Sequence, residues 1–396
     1  MNDFRIRLGE PVTVAYDPKE YRFDWDWGYY QFPAIGRGED GTIVCTFNVC
    51  DDSFTAFGKK NTTRTYRSTD DGVTWTPAPE DARICTRLPG GTFLSTTTVL
   101  SPAPSEVPGL GEPDFDFLHE RATDDPGAEK VYRRESYWYY RTAPEDLRRW
   151  AYLRKEPGGE WQLCRPVVEM PEDALLISMN GFLLRYMFEK FRLTPDGKVI
   201  GCYYPVRADG YDGRPGSCPT FFLSGDDAKS FQYLGRIPYE PDPRFDIRRF
   251  PALTGFSEPV LEFLPDGTAV CLLRTHEDDV KSPSYLTRSF DGGRTWEKPR
   301  VFDEELGVFP QLLHLRCGVT LATYGRPGVF VRGTDDPEAL RWQDRVTVLD
   351  SRHTCSYTGI LALGDASALM IYSDFARIQA DGKPHKSLVV RRIDVE

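Results

Sequence analysis

The sequence contains no long apolar run and no excess of basic residues. Hydrophobic residues make up 40% of its 396 positions, and no stretch approaches the ~18 apolar residues of a membrane-spanning helix. The 49 Lys and Arg are outnumbered by 60 Asp and Glu, which gives a net charge of −11. This balance argues against a broad nucleic-acid or anionic-membrane surface. The opening Met-Asn-Asp-Phe-Arg-Ile-Arg lacks the apolar core of a secretory signal, so we expect a cytoplasmic location.

Cysteine pairs and histidine clusters of metal-binding type are also missing from the sequence. The nine cysteines are odd in number and scattered, with no C-x-x-C pair. The five histidines are too dispersed to suggest a metal site. We therefore expect free thiols in a reducing compartment, with no metal and no cofactor.

Helical periodicity is nearly absent, whereas turn signals are abundant. The chain has 34 Gly and 31 Pro, and turns of the Pro-Asp-Gly type occur at 194–197 and 264–267. They bound short β-rich runs such as 42–49 and 268–275. The best helical candidate, 143–150, is long enough only for a local turn of helix. The pattern predicts an all-β protein.

An eight-residue motif repeats along the chain. The pattern S-x-D-x-G-x-T-W fits 68–75 and 289–296, with a degenerate copy at 224–231 and weaker echoes that end at Trp150 and Trp342. In such a motif the Asp carboxylate accepts N–H bonds across a turn, Gly supplies a positive φ, and Trp packs beneath. We interpret these copies as folding devices and not as catalytic groups.

These motifs resemble the Asp-box (BNR) repeats of the sialidase, or neuraminidase, superfamily. The resemblance implies a six-bladed β-propeller with four-stranded antiparallel blades and one pocket at the axis. We expect one domain over residues 1–396. The segment at about 101–137, rich in Pro, Asp and Glu and without a clear strand, is expected to be a long inter-blade insertion.

The blade that holds the second strong motif carries two candidate site residues. Glu258 opens one strand and Arg274 ends the next, after a Pro-Asp-Gly turn. Hairpin geometry is expected to bring both side chains to the same end of the blade. The blade resembles one of the sialidases in which a glutamate assists the nucleophile and an arginine grips the substrate carboxylate.

Two further residues match the sialidase pattern in later blades. Arg326 ends a strand after a turn, as Arg274 does, and arginine binds carboxylates through a planar fork. Tyr357 opens a strand, like the tyrosine nucleophile of sialidases. A tyrosine hydroxyl needs a base because its ordinary pKa is near ~10, and Glu258 is the candidate base. The alternative for each is structural: an ion pair for the arginine, packing between blades for the tyrosine.

The first blade departs from the sialidase pattern. Gln31 stands where sialidases carry the arginine of an Arg-Ile-Pro motif, and glutamine supplies neither charge nor a guanidinium fork. Arg37 or the lysines at 59–60 are candidates to compensate. Asp51 and Asp52, in the loop after run 42–49, are candidate acid/base carboxylates, with a solvated loop as the alternative.

Two other segments carry chemically interesting side chains. The aromatic and acidic cluster at 21–30 suits either sugar stacking or closure of the propeller. Arg185, Glu189 and Lys190, which precede the turn at 194–197, are also candidates to line the site.

The resulting hypothesis is an exo-acting glycoside hydrolase that removes a terminal, acidic sugar from an oligosaccharide or glycoconjugate. Tyr357 attacks with Glu258 as its base, Arg274 and Arg326 hold the substrate, and Asp51 or Asp52 protonates the leaving oxygen. Two alternatives stay open. One is a glycosidase or polysaccharide lyase for a neutral or uronic sugar, and the other is a propeller that only binds glycans.

Overall fold

The chain forms two compact all-β units. A computed structural model describes residues 4–23, 27–53, 56, 59, 62–120, 132–211, 213–245, 254–275 and 283–396. Unit 1 comprises Met1–Thr86 and Gly307–Glu396, and unit 2 comprises Arg87–Leu306. In this described part of the chain, helix is limited to single 3₁₀ turns, so the expected all-β class is confirmed. No helix there is long and apolar enough to cross a membrane.

Unit 1 contains the first and last strands of the chain. The N-terminal strands are β1 (Ile6–Leu8), β2 (Val12–Glu20), β3 (Tyr29–Arg37), β4 (Ile43–Val49), β5 (Thr63–Ser68) and β6 (Thr76–Pro77). The numbering of its C-terminal strands continues after unit 2: β25 (Val308–His314), β26 (Thr320–Gly325), β27 (Val329–Thr334), β28 (Val346–Leu349), β29 (Thr358–Gly364), β30 (Ser367–Ile378) and β31 (Pro384–Val395).

Unit 2 contains the strands between them. They are β7 (Thr86–Arg87), β8 (Phe93–Thr96), β9 (Phe115–Glu120), β10 (Tyr132–Tyr139), β11 (Tyr152–Lys155), β12 (Gln162–Cys164), β13 (Ala174–Met179), β14 (Phe182–Leu183), β15 (Lys190–Leu193), β16 (Val199–Tyr203), β17 (Val206–Tyr211), β18 (Arg214–Ser217), β19 (Thr220–Ser224), β20 (Gln232–Arg236), β21 (Thr254–Phe263), β22 (Ala269–Thr275), β23 (Pro283–Ser289) and β24 (Arg300–Leu306). The 3₁₀ turns are Pro104–Glu106, Tyr140–Thr142, Glu145–Arg148 and Pro243–Phe245.

Four-stranded antiparallel sheets are the recurring element of both units. In unit 1, β3 to β6 and β25 to β28 each form a meander of consecutive strands. In unit 2, β21 to β24 form another meander within a ten-stranded sheet, in which β21 also pairs with β18. The sheets β15-β16-β19-β20 and β7-β8-β11-β12 repeat the four-stranded pattern with extra strands inserted along the chain. Consecutive hairpins of this kind make up propeller blades.

The two chain ends of unit 1 are held in one sheet. Strand β31 pairs with β30 on one side and with both β1 and β2 on the other. Ile6 lies opposite Val395, and Val12 opposite Val390. Pairing the N-terminal strands with the C-terminal strand covers edges that would otherwise template aggregation.

The repeated motif forms the same turn at the end of a third strand in several sheets. At the end of β23, Ser289 donates to Asp291 (2.8 Å) and accepts from the Gly293 amide (2.8 Å). Asp291 also accepts from the Thr295 amide (2.9 Å) and hydroxyl (2.6 Å), and these bonds lower its pKa, against the effect of burial, to about 2. The Trp296 indole donates to the Gly293 carbonyl (3.2 Å). Because each polar group is satisfied within the turn, the motif acts as a folding device.

The other copies follow this geometry to different degrees. The turn at the end of β5 repeats it with nearly identical distances. In the echo after β27, Trp342 donates to the carbonyl of Ala339 (2.8 Å) as in a full motif. The prediction that the segment ending at Trp150 is a copy of the motif is wrong. The Trp150 indole is fully buried in the core of unit 2 and donates to the Tyr140 hydroxyl (3.0 Å).

The expectation that the segment at about 101–137 has no strand is corrected, whereas its role as an inter-blade insertion stays a prediction. Strands β9 and β10 pair with each other in antiparallel orientation, with Phe117 opposite Glu135. Strand β10 also pairs with β13. The run of aromatic residues at 137–139 favours a strand. The prediction of a loop over this segment gave too much weight to the acidic residues that precede the strand.

Candidate functional site

The candidate residues concentrate where the first strand of a sheet begins. In three of these strands a non-glycine residue with positive φ precedes a proline: Phe32 (φ 53°) in β3, Glu258 (φ 46°) in β21 and Phe309 (φ 31°) in β25. At each one the pairing register shifts, which marks a β-bulge. Such backbone costs about 1–3 kcal/mol per residue, and bulges re-aim side chains. Strain repeated at one place in three sheets favours a functional role for this end of the blades.

In unit 2, Glu258 and Arg274 form a buried ion pair. Ser257 in β21 lies opposite Arg274 in β22, so the hairpin places the guanidinium beside Glu258. Arg274 Nη1 donates to Glu258 Oε1 at 2.8 Å, and both side chains are 7% exposed. An arginine at this distance makes a charge-assisted hydrogen bond to the carboxylate, which is stronger than a bond between neutral groups. The two residues therefore lie together, as the hairpin predicted, and their roles stay predictions.

A second carboxyl group, Glu189, lies near this pair. The Glu189 amide donates to the carbonyl of Cys202 (3.1 Å) at the start of β15, and the Cys202 thiol lies 3.8 Å from the carbonyl of Pro259. Burial and the negative charge of Glu258 raise the pKa of Glu189 to about 8, against the effects of Lys190 and of a hydrogen bond from Tyr204. Glu189 is therefore mostly protonated at neutral pH.

Lys190, the neighbour of Glu189 in the sequence, is a basic group whose pKa is also shifted. Burial and the positive charge of Arg192 lower the pKa of Lys190 to about 7. Arg192 itself donates to the carbonyl of Leu261 (3.1 Å) in β21, so β15 is fastened against the Glu258 strand. We call Glu189, Lys190, Tyr204, Glu258 and Arg274 the Glu258 cluster. Perturbed titration of several groups in one place is typical of active sites.

In unit 1, Tyr357 lies in an aromatic cage. Its ring stacks on Phe309 (centroids 5.4 Å apart, 17° between planes) and meets Phe32 edge-on (4.9 Å). The guanidinium of Arg326 lies 5.8 Å from the Tyr357 ring and 5.7 Å from that of Trp27. We call these five residues the Tyr357 cluster. The stacked guanidinium suits a planar anion or a sugar ring.

Asp52 joins the Tyr357 cluster through Trp27. The Trp27 indole donates to Asp52 Oδ2 (3.0 Å), and the Asp52 amide donates to the carbonyl of Trp27 (3.3 Å). Asp51 and Asp52 are both exposed in the loop after β4. Unit 1 therefore brings Asp52, Arg326 and Tyr357 together around one indole.

Arg37, one of the residues proposed to compensate for the missing first-blade arginine, does not share the position of Gln31. Gln31 is fully buried, and neither amide atom has a hydrogen-bond partner among the described residues. Arg37 lies at the opposite end of β3, about 20 Å along the strand. Its guanidinium donates to the carbonyls of Gly41 (3.0 Å) and Ala362 (3.3 Å), which is a structural role.

Several buried polar atoms at these strand starts lack a partner in the described chain. Besides the Gln31 amide they are Glu189 Oε2, Ser257 Oγ and Ser356 Oγ. An unpaired buried polar atom costs about 1–3 kcal/mol, and native proteins have few. Their position beside the two clusters favours a bound ligand or water there. Among the described residues no group of three or more His, Cys, Asp and Glu has metal-binding geometry.

Other candidates from the sequence fall elsewhere. Arg185, which is buried, donates to Oδ2 of the exposed Asp146 (2.9 Å) in unit 2. Lys60 and both acidic residues of segment 21–30, Asp24 and Asp26, lie outside the described residues. Sequence reasoning did not rank Glu189, and it overlooked Phe32 and Phe309 in the cage. The Glu-Pro and Phe-Pro dipeptides at the first-strand starts are the signal that marks these positions.

No protein-family model matches the chain, and no curated protein matches its sequence. Solved structures do resemble it. A protein of unknown function from Dyadobacter fermentans is 18% identical, with 99% of each chain covered and a TM-score of 0.62. The alpha-L-arabinanase of Penicillium chrysogenum, solved with arabinobiose, is 14% identical, with 97% of this chain and 98% of that chain covered and a TM-score of 0.51.

A sialidase gives a similar level of likeness. The NanB sialidase of Streptococcus pneumoniae is 12% identical, with 97% of this chain and 70% of that chain covered and a TM-score of 0.50. At such identities the shared feature is the fold, an all-β propeller that occurs in both sialidases and arabinanases. The expected resemblance to sialidases therefore holds for the fold, and it extends equally to glycoside hydrolases of another specificity.

Proposed function

We propose that this protein is an exo-acting glycoside hydrolase with a six-bladed propeller fold and a reaction centre that includes Glu258. The observation that carries the proposal is the buried Glu258–Arg274 ion pair at a strained bulge (2.8 Å, both side chains 7% exposed). Burying two charges and straining the backbone is costly, and such costs persist mainly where function needs them. The similarity of the fold to that of propeller glycosidases suggests glycoside hydrolysis as the reaction in which this carboxylate takes part.

Glu258 acts in the charged form, either on the anomeric carbon or as the base for Tyr357. Both routes pass through the oxocarbenium-like transition state of glycoside hydrolysis, which an anionic group stabilises. The tyrosine route, with Glu258 as the base for Tyr357, remains a prediction from the sequence. Variants at Glu258 and Tyr357 distinguish the two routes, because direct attack by Glu258 does not need the Tyr357 hydroxyl.

An acidic sugar substrate and a neutral sugar substrate require different contacts with the arginines. An acidic sugar needs a guanidinium for its carboxylate, which Arg326 in its aromatic cage can offer. The charge of Arg274 is balanced by Glu258, and Gln31 is sealed from solvent. These two observations favour the second candidate, a neutral sugar such as the arabinose units of the arabinobiose bound by the Penicillium enzyme.

A panel of aryl glycosides tests the proposal and separates the substrates. The panel contains a sialoside, a glucuronide, a rhamnoside and an arabinofuranoside, assayed by released phenol, with an absorbance check for unsaturated uronate on acidic polysaccharide. We expect turnover of one glycoside and release of single sugars from the matching oligosaccharide. Unsaturated product would instead indicate a lyase, and binding without turnover across the panel would indicate a glycan-binding protein.

A further inference from the structure

Within the Glu258 cluster the two carboxyl groups have opposite environments. Glu258 is paired with a guanidinium at 2.8 Å. Glu189 Oε2 is shielded from solvent and has no hydrogen-bond partner among the described residues. Burial and the Glu258 charge raise the pKa of Glu189 to about 8. Two carboxyls at one site whose environments differ in this way are suited to separate acid and base roles.

The packing of β15 against β21 fixes this arrangement. The Arg192 guanidinium donates to the carbonyl of Leu261 at 3.1 Å and lies 4.0 Å from Glu262. The Cys202 thiol, on the strand that pairs with β15, lies 3.8 Å from the carbonyl of Pro259. These contacts flank Glu189 and Glu258 on both strands. The coupling between the carboxyl groups therefore rests on ordered neighbours and not on a mobile loop.

The carboxyl groups that the sequence suggested for the acid are less suited to it. Asp52 is exposed on the loop after β4 and accepts a hydrogen bond from the Trp27 indole (3.0 Å). Asp51 is exposed on the same loop. Neither is buried, whereas Glu189 is shielded and faces the charge of Glu258.

We propose that Glu189 is the proton donor for the leaving group, an inference that rests on the proposed glycoside hydrolase function. As the bond between the anomeric carbon and the glycosidic oxygen breaks, its electron pair goes to that oxygen. The Glu189 proton goes to the same oxygen, so the aglycone departs as a neutral alcohol and Glu189 becomes a carboxylate. Water then adds to the anomeric carbon, and its proton restores Glu189. The net reaction consumes one water and needs no other reactant.

Leaving-group dependence provides the test. A 2,4-dinitrophenyl glycoside departs without a proton, whereas a 4-methoxyphenyl glycoside of the same sugar needs one. General acid catalysis contributes roughly 10²–10⁴-fold. Because both substrates share the later addition of water, the comparison uses kcat/KM, which reports the steps up to departure of the leaving group. We expect Glu189→Gln to lose at least 100-fold in kcat/KM on the 4-methoxyphenyl substrate and less than 10-fold on the dinitrophenyl substrate. Glu156→Gln, which removes an exposed carboxylate of unit 2, is the matched control and is expected to match the wild type on both.

Three outcomes would overturn the inference. They are an equal loss on both substrates in Glu189→Gln, no loss on either, or the selective loss appearing in Asp52→Asn instead. If the wild type hydrolyses none of the glycosides, the proposed function itself fails, which is a different result from an active wild type with an unaffected Glu189→Gln.

The protonation state can be measured without substrate. Infrared difference spectra of the wild type are expected to show a protonated carboxyl band at pH 6.5 that disappears on titration near pH 8 and is absent in Glu189→Gln. In Glu258→Gln the band should titrate at lower pH, because the negative charge that raises the pKa of Glu189 is removed. A wild-type spectrum without this band would contradict the proposal.

Discussion

Removing Arg274 while Glu258 remains should strongly destabilise unit 2. Both side chains are 7% exposed and their hydrogen bond is 2.8 Å long, so water cannot replace the guanidinium. Breaking a buried pair on one side costs about 3–5 kcal/mol because it leaves an uncompensated buried charge. We therefore expect Arg274→Met to increase the unfolding equilibrium constant by roughly two to four powers of ten.

Equilibrium unfolding in urea, followed by tryptophan fluorescence, measures this change. Arg316→Met is the matched control, because Arg316 and Asp365 form a pair 3.4 Å apart whose side chains are 88% and 74% exposed. Exposed pairs contribute about 0–1 kcal/mol, so the control should unfold nearly as the wild type does. The double variant Glu258→Gln/Arg274→Met should be more stable than Arg274→Met alone, since it contains no unpaired charge.

The same set of variants includes the results that would contradict this reasoning. If Arg274→Met costs no more than Arg316→Met, or if the double variant is the least stable of the set, the pair is not buried and coupled as described.

Three further predictions concern the turns and the Tyr357 cluster. Gly72 has φ +88°, and a Cβ there would lie 2.5 Å from Leu369, so Gly72→Ala should lower the free energy of unfolding by about 2–4 kcal/mol. Gly41 has φ +82° but open space around it, so Gly41→Ala should lower it by only about 1–2 kcal/mol. Equal losses for the two variants in urea unfolding would contradict this. Asp291→Ala should cost about 1–2 kcal/mol at pH 7. Because the pKa of Asp291 is lowered to about 2, its stabilisation is full above pH 4 and fades as the pH falls toward 2, so thermal melts of variant and wild type should converge there. Tyr357→Phe keeps both ring contacts and should change the free energy of unfolding by less than about 1.5 kcal/mol. A large loss of phenol release with an unchanged thermal melt would assign the hydroxyl to the reaction. A large loss of stability would contradict the described packing of the ring.

The sequence predicted the features that depend on short-range patterns. Turn residues and alternating apolar residues defined most strands, and the Asp-box at 289–296 predicted its own hydrogen bonds, because every partner lies within the motif. The hairpin that brings Arg274 to Glu258 was also predictable, since a tight turn between two strands fixes which residues lie at one end.

Features that depend on packing between distant segments were not predictable in the same way. The shifted pKa of Glu189 arises from burial and from a charge 69 positions away in the sequence, so its local sequence gives no sign of it. Trp150 looked like an echo of the repeat, yet the core of unit 2 required an indole there. The hairpin of β9 and β10 lies in a segment of acidic, loop-like composition, and only its pairing with β13 makes it part of a sheet.

The most direct test of the account is the rate of glycoside hydrolysis by Glu258→Gln, on whichever aryl glycoside the wild type turns over. The substitution keeps the shape of the side chain and removes its charge. We predict a loss of kcat of at least 100-fold, with a folded protein by fluorescence and thermal melting. A variant with wild-type turnover on the same glycoside would place the reaction away from Glu258 and contradict the central claim.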